Sequence, residues 1–147
     1  MSASLRSLVA LCGIFFASCS SAPAPCPDTQ AVVDSLAKQH ANVTRLSVHA
    51  VPPGGGDYCA IASTSDEKRG AKSDPEDLKA IQTGETVVKD ENGSIDVTVP
   101  ILMVEGKYTA SAGVTLHAGV AQDAAVTEAK SIAAEIAAAM VANKAKM

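Results

Sequence analysis

The stretch from Glu85 to His117 constrains this chain most, because apolar residues recur in it at every second position. Between Ser94 and Val104 the apolar set is Ile95, Val97, Val99, Ile101 and Met103, interleaved with Asp96, Thr98 and Pro100. Successive side chains of a strand point to opposite faces, so this period predicts a half-buried strand. Lys107 to His117 repeats it, with Tyr108, Ala110, Ala112, Val114 and Leu116 alternating against Thr109, Ser111, Gly113, Thr115 and His117. Residues 85–89 form a shorter strand. Asn92-Gly93 supplies the positive φ values of a tight hairpin, and Glu105-Gly106 closes the second turn. Pro100 cannot donate a ladder hydrogen bond, so an edge position or a bulge is expected there. The result is an antiparallel meander. One face should pack on helices, and the other, carrying Asp96, Thr98 and the alternate positions from Thr109 to His117, should look into any pocket.

The flanking segments provide the cover. Asp28 or Thr29 can cap a helix running to about Ala41, with Val32, Val33, Leu36 and His40 along one side. Residues 45–51 and 58–63 alternate as strands around the turn-rich loop Pro52-Pro53-Gly54-Gly55-Gly56-Asp57. Ser73 with Glu76 reads as a capping box, Pro75 suits a first helical turn, and Gly84 ends a short helix. After the meander, an alanine-rich helix runs from about Asp123 to Asn143, with Val126, Ala129, Ile132, Ala133, Ile136 and Met140 at helical spacing. Strands segregated from helices predict an α+β fold, with a five-stranded antiparallel sheet and the order αββαβββα.

The amino terminus reads as an address. Arg6 precedes a short apolar run from Leu8 to Phe16, the layout of a secretory signal and too short for a span of about 20 residues. Phe16-Ala17-Ser18-Cys19 resembles a bacterial lipobox. The resemblance implies a signal over 1–18, lipidation of Cys19, a flexible tether over 19–27 and a single domain over 28–147. It also implies a lipid-anchored protein on the periplasmic side of the cell envelope. Ser20 after the cysteine resembles the outer-membrane sorting choice. Cleavage at an ordinary signal-peptidase site, giving a soluble secreted domain, is the alternative.

Removal of 18 of the 147 residues leaves 129, enough for one domain. Only Arg6 of the 12 basic residues would leave, so 11 face 16 acidic ones. Such a surface, with Tyr58 and Tyr108 as its aromatics, excludes nucleic acid as a partner. Cys26 and Cys59 read as a disulfide in an oxidising compartment, closing a loop of about 30 residues and contributing roughly 3–4 kcal/mol. Two free thiols are the alternative. No His stands at ligand spacing from either cysteine, so neither metal nor cofactor is expected.

His40, His49 and His117 fall in no catalytic spacing, and the carboxylates gather in loops and at a helix start. Enzymatic activity is therefore not expected. For binding, Lys68, Arg69 and Lys72 precede the helix start at Ser73, where cations beside free N–H groups can hold a carboxylate or phosphate. Neutralisation of Asp66, Glu67, Asp74 and Glu76 is the structural alternative. Thr98, Tyr108, Thr109 and Ser111 could form a polar wall, with core packing the other role for Tyr108.

The series Ala62-Ser63, Gly70, Ser73-Asp74-Pro75-Glu76-Asp77-Leu78, Thr83-Gly84, Val97 to Ile101 and Gly106-Lys107 resembles the extracytoplasmic PAS-like sensor domains of the single Cache type. The resemblance covers roughly Leu46 to Met140. It implies a domain that binds a small metabolite outside the cytoplasm and passes the event on. With no transmembrane helix or output domain in the sequence, the signal is expected to pass through a separate receptor or envelope protein. A structural or interaction module of the envelope without a ligand is the alternative.

Overall fold

The computed structural model describes residues 26–144. The signal segment, Cys19 and most of the tether lie outside the described residues. The elements are α1 (Pro27–Gln39), β1 (Val43–Ala50), β2 (Cys59–Ser63), α2 (Pro75–Thr83), β3 (Val87–Glu91), β4 (Ser94–Val104), β5 (Lys107–Leu116) and α3 (Gln122–Lys144). They form the expected α+β arrangement in the expected order. The five strands make one antiparallel sheet in the order β2-β1-β5-β4-β3. Among the described residues no helix is long and apolar enough to cross a membrane.

The meander takes its shape from its turns. Glu91 pairs with Ser94, leaving Asn92 at φ 55° and Gly93 at φ 88° as a two-residue hairpin. Val104 pairs with Lys107 across Glu105 at φ 50° and Gly106 at φ 77°, a second turn of the same kind. Pairing between β3 and β4 stops at Val87 opposite Thr98, so Pro100 lies where β4 has β5 alone for a partner. That is an edge position, and it tolerates the missing donor.

One face of the sheet carries Leu46, Val48, Ala50, Val97, Val99, Ile101, Ala110, Ala112, Val114 and Leu116. They close against Val33 and Leu36 of α1 and against Ala125, Ala129, Ile132, Ala133 and Ile136 of α3 in a single core. The small alanines of α3 let that helix lie close over β4 and β5. The opposite face is covered by α2, which packs on β5 and β4.

Four local expectations are corrected. The first helix starts at Pro27, behind Cys26, so neither Asp28 nor Thr29 is its cap, and Thr29 is buried. The second is capped by Asp74, whose N–H donates to Asp77 Oδ2 at 3.0 Å; the Ser73 side chain turns elsewhere. Met103, expected on the apolar face, is 58 % exposed, while Leu102 packs on the core. Leu102 has φ 58°, and this left-handed residue reverses the alternation at the end of β4. Finally, Cys26 and Cys59 are free thiols in the structure, so the expected bridge is not formed there. The Cys26 N–H bonds to the Ile61 carbonyl, placing it beside a residue two positions along β2 from Cys59. Both thiols pack on the helix-side core as small apolar groups.

Candidate functional site

A cleft of about 40 Å³ opens between the sheet and the start of α2. Arg45, Ser47 and His49 come to it from β1, Asp96 and Thr98 from β4, and Gly113 from β5. Lys68 belongs to the loop before α2, Asp74 caps that helix, and Glu76 and Asp77 lie in its first turn. Lys89 and Glu91 of β3 complete the rim. The polar residues of β1 and β4 reach this face by the same period of two that sends their apolar neighbours to the core. Ser47, His49, Asp77, Thr98 and Ser111 are all buried.

The floor is a hydrogen-bonded network. His49 Nδ1 lies 3.0 Å from Ser73 Oγ and 3.2 Å from Asp77 Oδ2. Ser111 donates to Asp77 Oδ1 at 3.5 Å, and Ser47 and Ser63 share a hydroxyl hydrogen bond of 2.8 Å. Thr115 donates to Asp96 at 2.6 Å. Burial pushes His49 down to about 4, with the nearby Asp74 charge opposing and Lys68 and Arg45 reinforcing the fall. Burial also pushes Asp77 up to about 6, helped by the charges of Asp74, Asp96 and Glu76 and opposed by the Asp74 N–H. Asp96 moves up as well, chiefly through burial and then through Glu91, against the pull of Thr115 and Arg45.

At neutral pH His49 is therefore uncharged while Asp77 is ionised. A carboxylate facing Nδ1 requires the proton on that nitrogen, which leaves Nε2 as an acceptor. Ser73, His49 and Asp77 include the residue types of a hydrolytic triad, but hydroxyl and carboxylate meet the same ring nitrogen. A relay needs them on opposite nitrogens, so this grouping positions polar atoms rather than activating Ser73.

The rim is made of ion pairs. Arg45 stands 3.1 Å from Glu91 and 3.6 Å from Asp96, Lys89 2.9 Å from Glu76, and Lys68 3.5 Å from Asp74. Solvent screens such exposed and half-exposed pairs, so each contributes little and a ligand can displace it. Among the described residues no group of three His, Cys, Asp or Glu is placed to hold a metal ion.

Of the residues singled out from the sequence, Lys68 and Thr98 line this cleft, and Ser73 and Ser111 belong to its buried network. The others are engaged elsewhere. Arg69 donates to the Ser63 carbonyl at 2.9 Å and pairs with Asp66 at 2.6 Å. Lys72 lies 3.9 Å from Asp57, beside a more open hollow of about 290 Å³ framed by Pro52, the Gly55-Gly56 turn and Tyr58. Thr109 donates to the Leu102 carbonyl at 2.8 Å, and the Tyr108 ring lies against Gly84. The three loop cations thus do not converge. Sequence reasoning passed over Arg45, Ser47 and His49, although their alternation on one strand was the available signal.

No protein-family model and no curated protein matches the chain. Solved structures resemble it in fold. The GAF domain of an Acinetobacter phosphoenolpyruvate-protein phosphotransferase superposes with a TM-score of 0.55 at 16% identity, covering 81% of this chain and 91% of that one. A type II free methionine-R-sulfoxide reductase from Thermoplasma acidophilum gives 0.51 at 11% identity, covering 75% and 90%. An IclR homolog from Microbacterium hydrocarbonoxydans, complexed with 4-hydroxybenzoate, gives 0.50 at 10% identity, covering 79% and 68%. These neighbours are GAF-like rather than Cache domains, and at such identity they establish architecture alone: the described chain has a GAF/PAS-like α+β fold.

Proposed function

We propose that this domain is a non-catalytic sensor that binds a small polar metabolite in the cleft between β1, β4, β5 and α2. The observation that carries the reading is the buried polar face of the sheet. A face whose role was structural alone would be covered most favourably by apolar side chains, because burying polar groups gains little beyond breaking even. Here Ser47, His49, Thr98 and Ser111 of the sheet are buried together with Asp77 of the nine-residue helix α2. One GAF-like neighbour is described in complex with an aromatic acid, which fits a binding role for the shared fold. A cleft of about 40 Å³ holds only one to three waters, so α2 and the loop before it must give way to admit a metabolite.

On this reading the domain is held at the envelope through Cys19 and passes ligand occupancy to a separate receptor or envelope protein. Incorporation of a fatty-acid label, lost in Cys19→Ala, is the expected result for the anchor. A second reading, a structural module that has kept the fold without a ligand, draws on the paired state of every cation at the rim. A thermal-shift panel of organic acids, amines, amino acids and nucleobases separates the two. Binding predicts a hit whose shift disappears in His49→Gln, whereas a panel without hits favours the structural module.

A further inference from the structure

Charge around the cleft is unequal. Its lining holds the cations Arg45, Lys68 and Lys89 and the carboxylates of Asp74, Glu76, Asp77, Glu91 and Asp96. Pairing each cation with its nearest carboxylate uses Glu91, Asp74 and Glu76, at 3.1, 3.5 and 2.9 Å. Asp77 and Asp96 remain. Asp77 has neutral partners, namely the Asp74 N–H, His49 and the Ser111 hydroxyl. Asp96 has Thr115 and a longer 3.6 Å share of the guanidinium already held by Glu91. Both carboxylates line one small cavity, and each is pushed toward its neutral form by burial and by neighbouring acids.

Given that the cleft is a ligand site, we infer that it takes a small primary amine, with the ammonium group seated between Asp77 and Asp96. An ammonium offers three donors, and the cleft offers matching acceptors in two carboxylates and the Thr98 hydroxyl. It supplies the positive charge that the three rim pairs do not. An anionic ligand would meet Asp77, which has no Lys or Arg partner, and Asp96, which only shares the Arg45 guanidinium with Glu91. It would also have to take Arg45, Lys68 or Lys89 from its present partner. The charge balance therefore reverses the preference read from the loop cations.

Three probes of similar size but different head group test this inference by calorimetry and amide NMR: ethanolamine, serine and 3-hydroxypropionate. Ethanolamine is expected to bind and to shift the amides of Asp77, Thr98 and Ser111. Its affinity should fall about tenfold or more in Asp77→Asn and in Asp96→Asn, a loss of one charged contact to the ammonium each. Both substitutions keep an acceptor oxygen, so circular dichroism should show folded protein; the Asp96 variant carries the test alone if the Asp77 variant unfolds. Binding of 3-hydroxypropionate in preference to ethanolamine would overturn the amine assignment while leaving the cleft a ligand site. Tighter binding of serine than of ethanolamine would overturn it too, since the carboxylate would then contribute. If no probe moves a cleft amide at tens of millimolar, the amine assignment fails and the binding reading loses its support.

Discussion

His49 Nδ1 stands 3.2 Å from Asp77 Oδ2, and the burial they share drives their titrations in opposite directions. His49 falls from 6.5 to about 4, so its contribution to stability is present above 6.5 and lost as pH falls through 4. Asp77 rises from 3.8 to about 6, so its contribution is present below 3.8 and lost as pH rises through 6. Each amounts to roughly 3 kcal/mol at most, and between about pH 4 and 6 the two slopes oppose one another. Urea unfolding across that range should therefore show little net dependence from this pair. His49→Gln should expose stability that falls as pH rises from 4 to 6. Asp77→Asn should expose the reverse, stability that falls as pH drops from 6.5 to 4. Parallel curves for both variants would contradict the assignment.

Gly84 ends α2 at φ 74°, and a Cβ there would stand 2.7 Å from a carbon of the Tyr108 ring. The left-handed conformation alone costs an alanine about 1–2 kcal/mol. Gly84→Ala should lose about 2–3 kcal/mol in chemical denaturation, with part of the loss recovered in the Tyr108→Ala background. Equal losses in both backgrounds would show that the ring is not the obstacle.

The face reversal at Leu102 makes neighbouring residues of β4 respond differently. Ile101→Ala removes a buried side chain and should cost about 2–4 kcal/mol. Met103→Ser, at an exposed position, should stay within about 0.5 kcal/mol of the parent. A large loss at Met103 would restore the simple alternation through the whole strand.

Most of the architecture was legible because it rests on short-range signals. The period of two in β4 and β5, the Asn92-Gly93 turn and the alanine-rich stripe of α3 are local patterns, and each stands where expected. Leu102 was not legible, since nothing in a leucine announces a positive φ. The candidate site was half legible. Thr98, Ser111 and Asp96 follow from alternation within the meander. His49 matters because β1 lies beside β5 and faces α2, a relation between distant segments that spacing along the chain does not carry. Asp77 resembles any first-turn acid, because helix capping and the buried network call for the same residue type. The loop cations misled for the same reason: Arg69 serves the Ser63 carbonyl at the end of β2 and Asp66, and Lys72 reaches Asp57 of the preceding loop.

Both body cysteines are thiols in the structure, with Cys59 buried and its thiol pushed up by that burial. A neutral alkylating reagent followed by peptide mapping should label Cys26 faster than Cys59 in the native protein, and both after unfolding without reductant. A peptide pair linked through the two residues would show instead that they are bridged.

The central claim is that the polar cleft under α2 is where this domain meets its ligand. Amide NMR with a fragment set spanning amines, organic acids and neutral polar molecules tests it most directly. Binding at the cleft predicts concentration-dependent shifts centred on Ser47, His49, Asp77, Thr98 and Ser111. Shifts confined to residues 52–58 and 70–72, around the open hollow beside Tyr58, would contradict it, as would a set in which no fragment moves a cleft amide.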